Sequence, residues 1–211
     1  EYMVKDRKKE FAIFVMTIMV HILYVLLALA AYRVLNPTVG LPYLYERFTT
    51  AGDSPHYLYL AENWYQSEGE QARLIVFYPL YPLLMKVLGI VLLGNYELAG
   101  LLISNVCAGF ASIYLYRLVC MDYGEEKALE SVLLFLMYPF MMFTMGVYTE
   151  SLFLLLTLAT LYQIRQEKWV NVGILGFLAA LCRTQGMLLL APAVYEWLHV
   201  QAESGKKWKG Y

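Results

Sequence analysis

Residues 11–35 form an apolar run interrupted only by His21 and Arg33. A helix of about 20 residues already crosses a hydrocarbon core of roughly 30 Å, so this run is long enough to span. It constrains the rest of the chain, because backbone entering lipid must satisfy its own hydrogen bonds, as helices and closed barrels do. The whole sequence keeps this character, with 60% hydrophobic and only 16% charged residues, far from soluble usage. We therefore expect an all-α integral membrane protein. The run is too long for a signal-peptide core and no small-residue cleavage site follows it, so it reads as a retained span. The net charge of −1 says nothing about nucleic acid, but there is no basic stripe in a binding-motif context, so no nucleic-acid partner is expected. Cys107, Cys120 and Cys182 sit in or beside apolar runs without metal-type spacing and read as buried small hydrophobes.

The chain reads as a single membrane module, residues 1–211, with about six transmembrane helices. Residues 11–35 are the first span, 36–97 an outer loop carrying short interfacial helices, and 98–200 five further spans. Those five are placed at 98–116, 128–147 with a kink at Pro139, 151–164, 170–182 and 187–200, with a polar loop over 117–127. Residues 80–93 carry Lys86 and Gly89 and are expected to lie flat or re-enter rather than cross. Lys5-Asp6-Arg7-Lys8-Lys9 places the N-terminus in the cytoplasm. Of the sixteen Lys and Arg, eleven then fall inside: Lys5, Arg7, Lys8, Lys9, Arg117, Lys127, Arg165, Lys168, Lys206, Lys207 and Lys209. A seventh span at 80–93 would put seven of these outside, so both termini are expected in the cytoplasm.

Inside this oily chain the stretch 52–65, Gly-Asp-Ser-Pro-His-Tyr-Leu-Tyr-Leu-Ala-Glu-Asn-Trp-Tyr, stands out. An Asp, a His and a Glu so close together need water, a ligand or a cap to offset their desolvation. Ser54-Pro55 is expected to cap a short helix running to about Tyr65, which frees Asp53 for chemistry. His56 is one turn on and within reach of Asp53 on one face. Tyr57, Leu60, Ala61 and Trp64 share a face expected to rest in the membrane interface, and Tyr57, Tyr59, Tyr65, Tyr78 and Tyr81 read as interfacial anchors. The topology brings Tyr148 and Glu150, between the third and fourth spans, to the outer face. Arg183 and Gln185, between the fifth and sixth, arrive there too. Glu150, flanked by apolar runs, reads as a functional acid or as a helix N-terminal acid favoured by the dipole of the fourth span, with Thr149 or Glu150 as the cap. Arg183 beside two carboxylates is the expected partner of a phosphate, because a guanidinium forks two oxygens.

Asp53-Ser54-Pro55-His56-Tyr57, followed by Phe77-Tyr78-Pro79-Leu80-Tyr81-Pro82, resembles the GPI mannosyltransferase II (PIG-V-like) family of GT-C glycosyltransferases. Tyr148-Thr149-Glu150-Ser151 and Arg183-Thr184-Gln185-Gly186 look like later motifs of that family in the same order. The family pattern is close to Trp-Asp-x-x-His-Tyr, Ala-Glu-x-Gly-Tyr and Phe-Phe-Pro-Leu-Tyr-Pro. Gly52 stands here for the Trp, Trp64 for the Gly and Tyr78 for the second Phe. Family members are longer, so the chain reads as an N-terminal GT-C module without the C-terminal helices that complete the lipid-donor site, which a partner subunit would then supply.

The resemblance implies a polyprenyl-phosphate sugar donor, normally mannose, a glycan or glycolipid acceptor, and inverting transfer on the lumenal or extracytoplasmic side. That side belongs to the plasma membrane of a prokaryote or the endoplasmic reticulum of a eukaryote. It implies Asp53 as general base, Arg183 and His56 at the departing phosphate, Glu150 and Tyr148 orienting the sugar or assisting the base, Gln185 as a substrate contact, and no metal or cofactor. The reading from another class is a carrier-lipid-binding or transporter-like membrane protein that holds the same lipid without chemistry. A third is a catalytically dead structural subunit.

Overall fold

The structure, a computed structural model, describes residues 7–203; Lys5, Lys206, Lys207 and Lys209 of the charge count lie outside them. The first helix, α1 (Arg7–Leu35), covers the predicted first span. Phe11, Met19, Leu26 and Leu27 are exposed, as a lipid-facing side requires. Glu10, Thr17 and His21 turn to the other side and meet a second long helix, α5 (Tyr96–Leu136). Arg117 pairs with Glu10 at 2.7 Å, Phe14 packs on Phe110, Thr17 bonds Ser112 at 2.9 Å and His21 bonds Asn105 at 2.7 Å. These pairs rise along α1 as they fall along α5, so the helices are antiparallel. A polar group in lipid is costly unless partnered, and a shared seam supplies the partners.

The expected polar loop over 117–127 is not there. Helix continues through Arg117, and α5 is broken only at Gly124, in the left-handed region at φ 80°, where a residue without Cβ carries little penalty. Beyond it the second arm returns along α1, with Lys9 bonded to Glu125 and the Tyr24 hydroxyl donating to the Leu136 carbonyl. The predicted third span, 128–147, is also corrected. Helix ends at Leu136, ahead of Pro139, and one short turn, α6 (Met142–Met145), follows. A residue before proline is pushed out of the helical region, so the proline stops this helix instead of kinking it.

Four further helices come from the loop and the early part of the chain. These are α2 (Leu41–Thr50), α3 (Ser54–Asn63), a 3-10 helix (Glu70–Val76) and α4 (Leu80–Val91). The breakers around Pro42 hide α2, because a proline in the first helical turn gives up an N–H that has no partner there anyway. The 3-10 helix and α4 meet at 111°, the bend of a re-entrant segment or a broken span. After α6 come α7 (Glu150–Arg165) and α8 (Trp169–Cys182), close to the predicted fourth and fifth spans. The predicted sixth span is split into a 3-10 helix (Thr184–Leu189) and α9 (Leu190–Glu203). Among the described residues two helices, α1 and α5, are long and apolar enough to cross a membrane unaided, or three crossings if the bent pair is one span. That is fewer than the six expected.

Ion pairs tie the end opposite the site. Arg165 grips Asp122 through both nitrogens at 2.7 and 2.9 Å, and Arg117 also lies over the rings of Tyr114 and Tyr162. The charged ends of α1, α5 and α7 are therefore joined there. Asn105→Ala would orphan one nitrogen of His21 and the Met145 carbonyl, which also takes a bond from Asn105 at 3.0 Å. We expect it to lower the thermal midpoint of the detergent-solubilised protein, at about 1–3 kcal/mol per orphaned group. Phe11→Ala, on the exposed side, should shift it far less.

Candidate active site

Residues 146–149 link α6 to α7 without regular helix, and the carbonyls of Thr144, Met145, Val147 and Tyr148 are satisfied by side chains from other elements. Ser151 donates to Thr144 at 2.7 Å, Asn105 to Met145 at 3.0 Å, Ser54 to Val147 at 3.0 Å and Ser104 to Tyr148 at 3.2 Å. Ser104 is itself bonded to the Tyr81 hydroxyl at 2.8 Å. The Val147 amide donates to the Phe48 carbonyl, and the Tyr148 hydroxyl donates to Ala51 at 2.7 Å. This network brings the start of α3 beside the start of α7. Gly52 lies at the contact with φ 57°, and a Cβ there would stand 2.9 Å from the Tyr148 hydroxyl oxygen. A backbone that is left-handed and this crowded favours glycine.

The two helix starts share an unusual feature. Asp53 occupies the N-cap position of α3 and Thr149 that of α7, and neither side chain makes a cap hydrogen bond. Both backbones are helical, at φ −82°, ψ −8° and φ −81°, ψ −11°, whereas capping residues usually lie in the extended region. The expectation that Ser54 caps α3 is corrected: Ser54 is the first helical residue and spends its hydroxyl on Val147. Asp53 is still left unengaged, exposed and without a side-chain partner among the described residues.

Thr149 and Glu150 instead receive Arg183. Its Nη1 lies 2.7 Å from Glu150 Oε1 and donates to Thr149 Oγ1 at 3.2 Å. Arg183 is reached by extended backbone between α8 and the second 3-10 helix, with its guanidinium 6.0 Å from the Phe153 ring centroid. Burial works against the Arg183 charge; the hydrogen bond and attraction from Glu150 outweigh it and hold the group above its ordinary pKa. Next to it, Thr184 donates to the Tyr78 hydroxyl at 2.9 Å, which brings the proline-tyrosine segment to the same rim.

Tyr57 is a site residue that the sequence reading assigned elsewhere. It is 8% exposed, with T-shaped contacts to Phe77 and Tyr81 at 5.1 and 5.4 Å. Burial pushes its phenol up to about 12; Thr149 opposes this, Glu150 and Asp53 add to it, and Arg183 opposes it. Tyr57 belongs to the same core cluster as Val147, Leu152 and Cys182. Tyr57, Leu60 and Ala61 do share a face, but it packs on protein rather than on the membrane interface, and Tyr81 is likewise core. The signal available in the sequence was the spacing from Asp53, one turn away.

The other expected residues are placed less centrally. His56 makes no bond to Asp53 and rests its ring 5.0 Å from Phe77. Tyr148 is buried and its hydroxyl is committed to Ala51. Gln185 is exposed and makes no side-chain bond among the described residues. Glu150 is the first residue of α7 and does not cap it. No group of three or more His, Cys, Asp or Glu side chains able to hold a metal occurs among the described residues.

A family described as Mannosyltransferase (PIG-V) matches residues 42–204. The GPI alpha-1,6-mannosyltransferase 2 of Mus musculus is 30% identical over 151 residues, covering 65% of this chain and 29% of that protein. The chain thus spans less than a third of the length of that relative. No solved structure matches.

The raised Tyr57 phenol carries a linkage consequence. A group whose folded pKa is raised contributes its stability fully below the unfolded value, near 10, and loses it as pH rises through about 12. Over that window the wild type is expected to lose about 2–3 kcal/mol more than Tyr57→Phe, which keeps the ring. Chemical denaturation in detergent at pH 9 and pH 12, compared between the two proteins, measures the difference.

Proposed function

We propose that this chain, which belongs to the mannosyltransferase (PIG-V) family, carries the base and the phosphate-binding half of a membrane site that transfers mannose from a polyprenyl-phosphate donor to a glycan or glycolipid hydroxyl. The observation that carries the reading is the division of labour between two carboxylates. Glu150 is paired with Arg183 at 2.7 Å, while Asp53, at a cap position it does not use, is exposed and unpaired. A general base must reach the proton it takes, and an unpaired carboxylate is open to do so.

Asp53 takes the acceptor hydroxyl proton as the oxygen bonds to the anomeric carbon. The bond from that carbon to the phosphate oxygen breaks on the opposite face, its electron pair leaves with the lipid phosphate, and configuration inverts. Arg183 meets the developing charge, an electrostatic contribution that is commonly the largest in such steps. Both of its recorded contacts run through Nη1, and a guanidinium carries further donors for an incoming oxyanion. His56 lies on the same rim and supplies a second donor. Tyr148 acts by holding 51–53 in place, and Gln185 is an exposed contact for the acceptor or the lipid.

The charge pattern supports a site on the lumenal or extracytoplasmic side, because Arg117, Lys127, Arg165 and Lys168 belong to the opposite end. Six crossings remain the arrangement that best sorts those charges. The rest of the lipid-donor site is supplied by further helices of a longer family chain or by a partner subunit.

Transfer from radiolabelled polyprenyl-phosphate mannose by the full-length protein in membranes tests the reading. Asp53→Asn is expected to lower kcat by about 10²- to 10⁴-fold with little change in donor KM. Undiminished transfer by that variant would remove the base assignment, and direct use of a nucleotide sugar in place of the lipid donor would remove the reading itself.

A further inference from the structure

We infer that Thr149 is a positioning residue that aims the Arg183 guanidinium at the leaving phosphate. This deepens the transfer reading above and rests on it. Threonine at an N-cap ordinarily satisfies a helix amide, and losing such a cap costs about 1 kcal/mol. Here the position is filled by a threonine, its backbone is turned out of the capping conformation, and its hydroxyl goes to Arg183 at 3.2 Å. The side chain is only 3% exposed, so water does not replace that bond.

A carboxylate alone would hold the Arg183 charge without fixing its plane. Arg183 sits on extended backbone with a side chain 34% exposed, and one ion-pair contact lets a guanidinium swing about it. A second acceptor, Thr149 Oγ1, removes that freedom. On the facing helix Tyr57 is wedged against Phe77 and Tyr81. Tyr57 stands one turn after Ser54, which is pinned to Val147 two residues before Thr149. Asp53 immediately precedes Ser54 on that segment. The line Asp53–Ser54–Val147–Thr149–Arg183 therefore sets the spacing between the base on one side of the sugar and the cation on the other. In-line displacement needs that spacing held, and a misplacement of about 1 Å costs on the order of 10²-fold in rate.

Two variants of the full-length protein in membranes test this: Thr149→Val and Thr149→Ser. Thr149→Val keeps the shape and removes the hydroxyl, and is expected to lower kcat by about 10- to 100-fold with donor KM within about threefold. Thr149→Ser restores the hydroxyl and should recover most of that loss. Equal losses in Thr149→Ser and Thr149→Val, or losses that follow the thermal midpoint, would overturn the role and leave transfer standing. An active wild type with Thr149→Val unchanged does the same. A wild type that transfers no mannose from the lipid donor refutes the transfer reading and this role together.

Discussion

Backbone carbonyls that leave the helical ladder in an apolar medium must find donors, and the segment 144–149 is where this protein meets that demand. Irregular backbone at membrane depth is tolerated where protein encloses it. Here enclosure takes the form of four side-chain donors, Ser54, Ser104, Asn105 and Ser151, from three different helices. Each donor is small and polar in an otherwise apolar surround. The seam between α1 and α5 extends the same logic, since Asn105 serves both His21 and Met145. Substituting any of these groups leaves a carbonyl bare, and a buried unpaired group costs more than an average hydrogen bond contributes.

What the segment holds in place is a pair of helix starts that forgo their own caps. Two lost caps at about 1 kcal/mol each are a real fraction of a marginal stability. The return is chemical: a free carboxylate at Asp53 and a hydroxyl at Thr149 turned toward a guanidinium. The Glu150–Arg183 pair is about one-third exposed on each side, so solvent weakens its contribution to stability. It places a cation at the start of α7, beside the start of α3 that carries the unpaired Asp53.

The parts of the fold that sequence makes legible are those in which one physical signal dominates. Length and apolarity identify α1, α7 and α8 to within a few residues. The stretch 117–127 misleads because its charges are satisfied by other helices: Arg117 by Glu10 and Asp122 by Arg165. Polar composition then looks like a loop although the backbone is helical. Pro139 misleads in the other direction, since a proline can kink or end a helix and only the neighbouring packing decides. In the site, Asp53, Glu150 and Arg183 are visible as charges in an apolar chain. Tyr57 and Thr149 are not, because one of nineteen tyrosines and a threonine next to a glutamate carry no excess that composition can register. The polar spacing of Glu10, Thr17 and His21 along one side of α1 was the unread signal for its partner helix.

The carbonyl network has a consequence for how the protein comes into being. Its donors lie on both sides of the segment in chain order: Ser54, Ser104 and Asn105 precede it, while Ser151 and the Arg183 that meets Thr149 follow it. A nascent chain inserted only as far as residue 150 carries several of those bonds and lacks the rest, so no partial product holds the cleft in its final shape. The arrangement can therefore be completed only once Arg183, just beyond α8, has been delivered to Thr149 and Glu150.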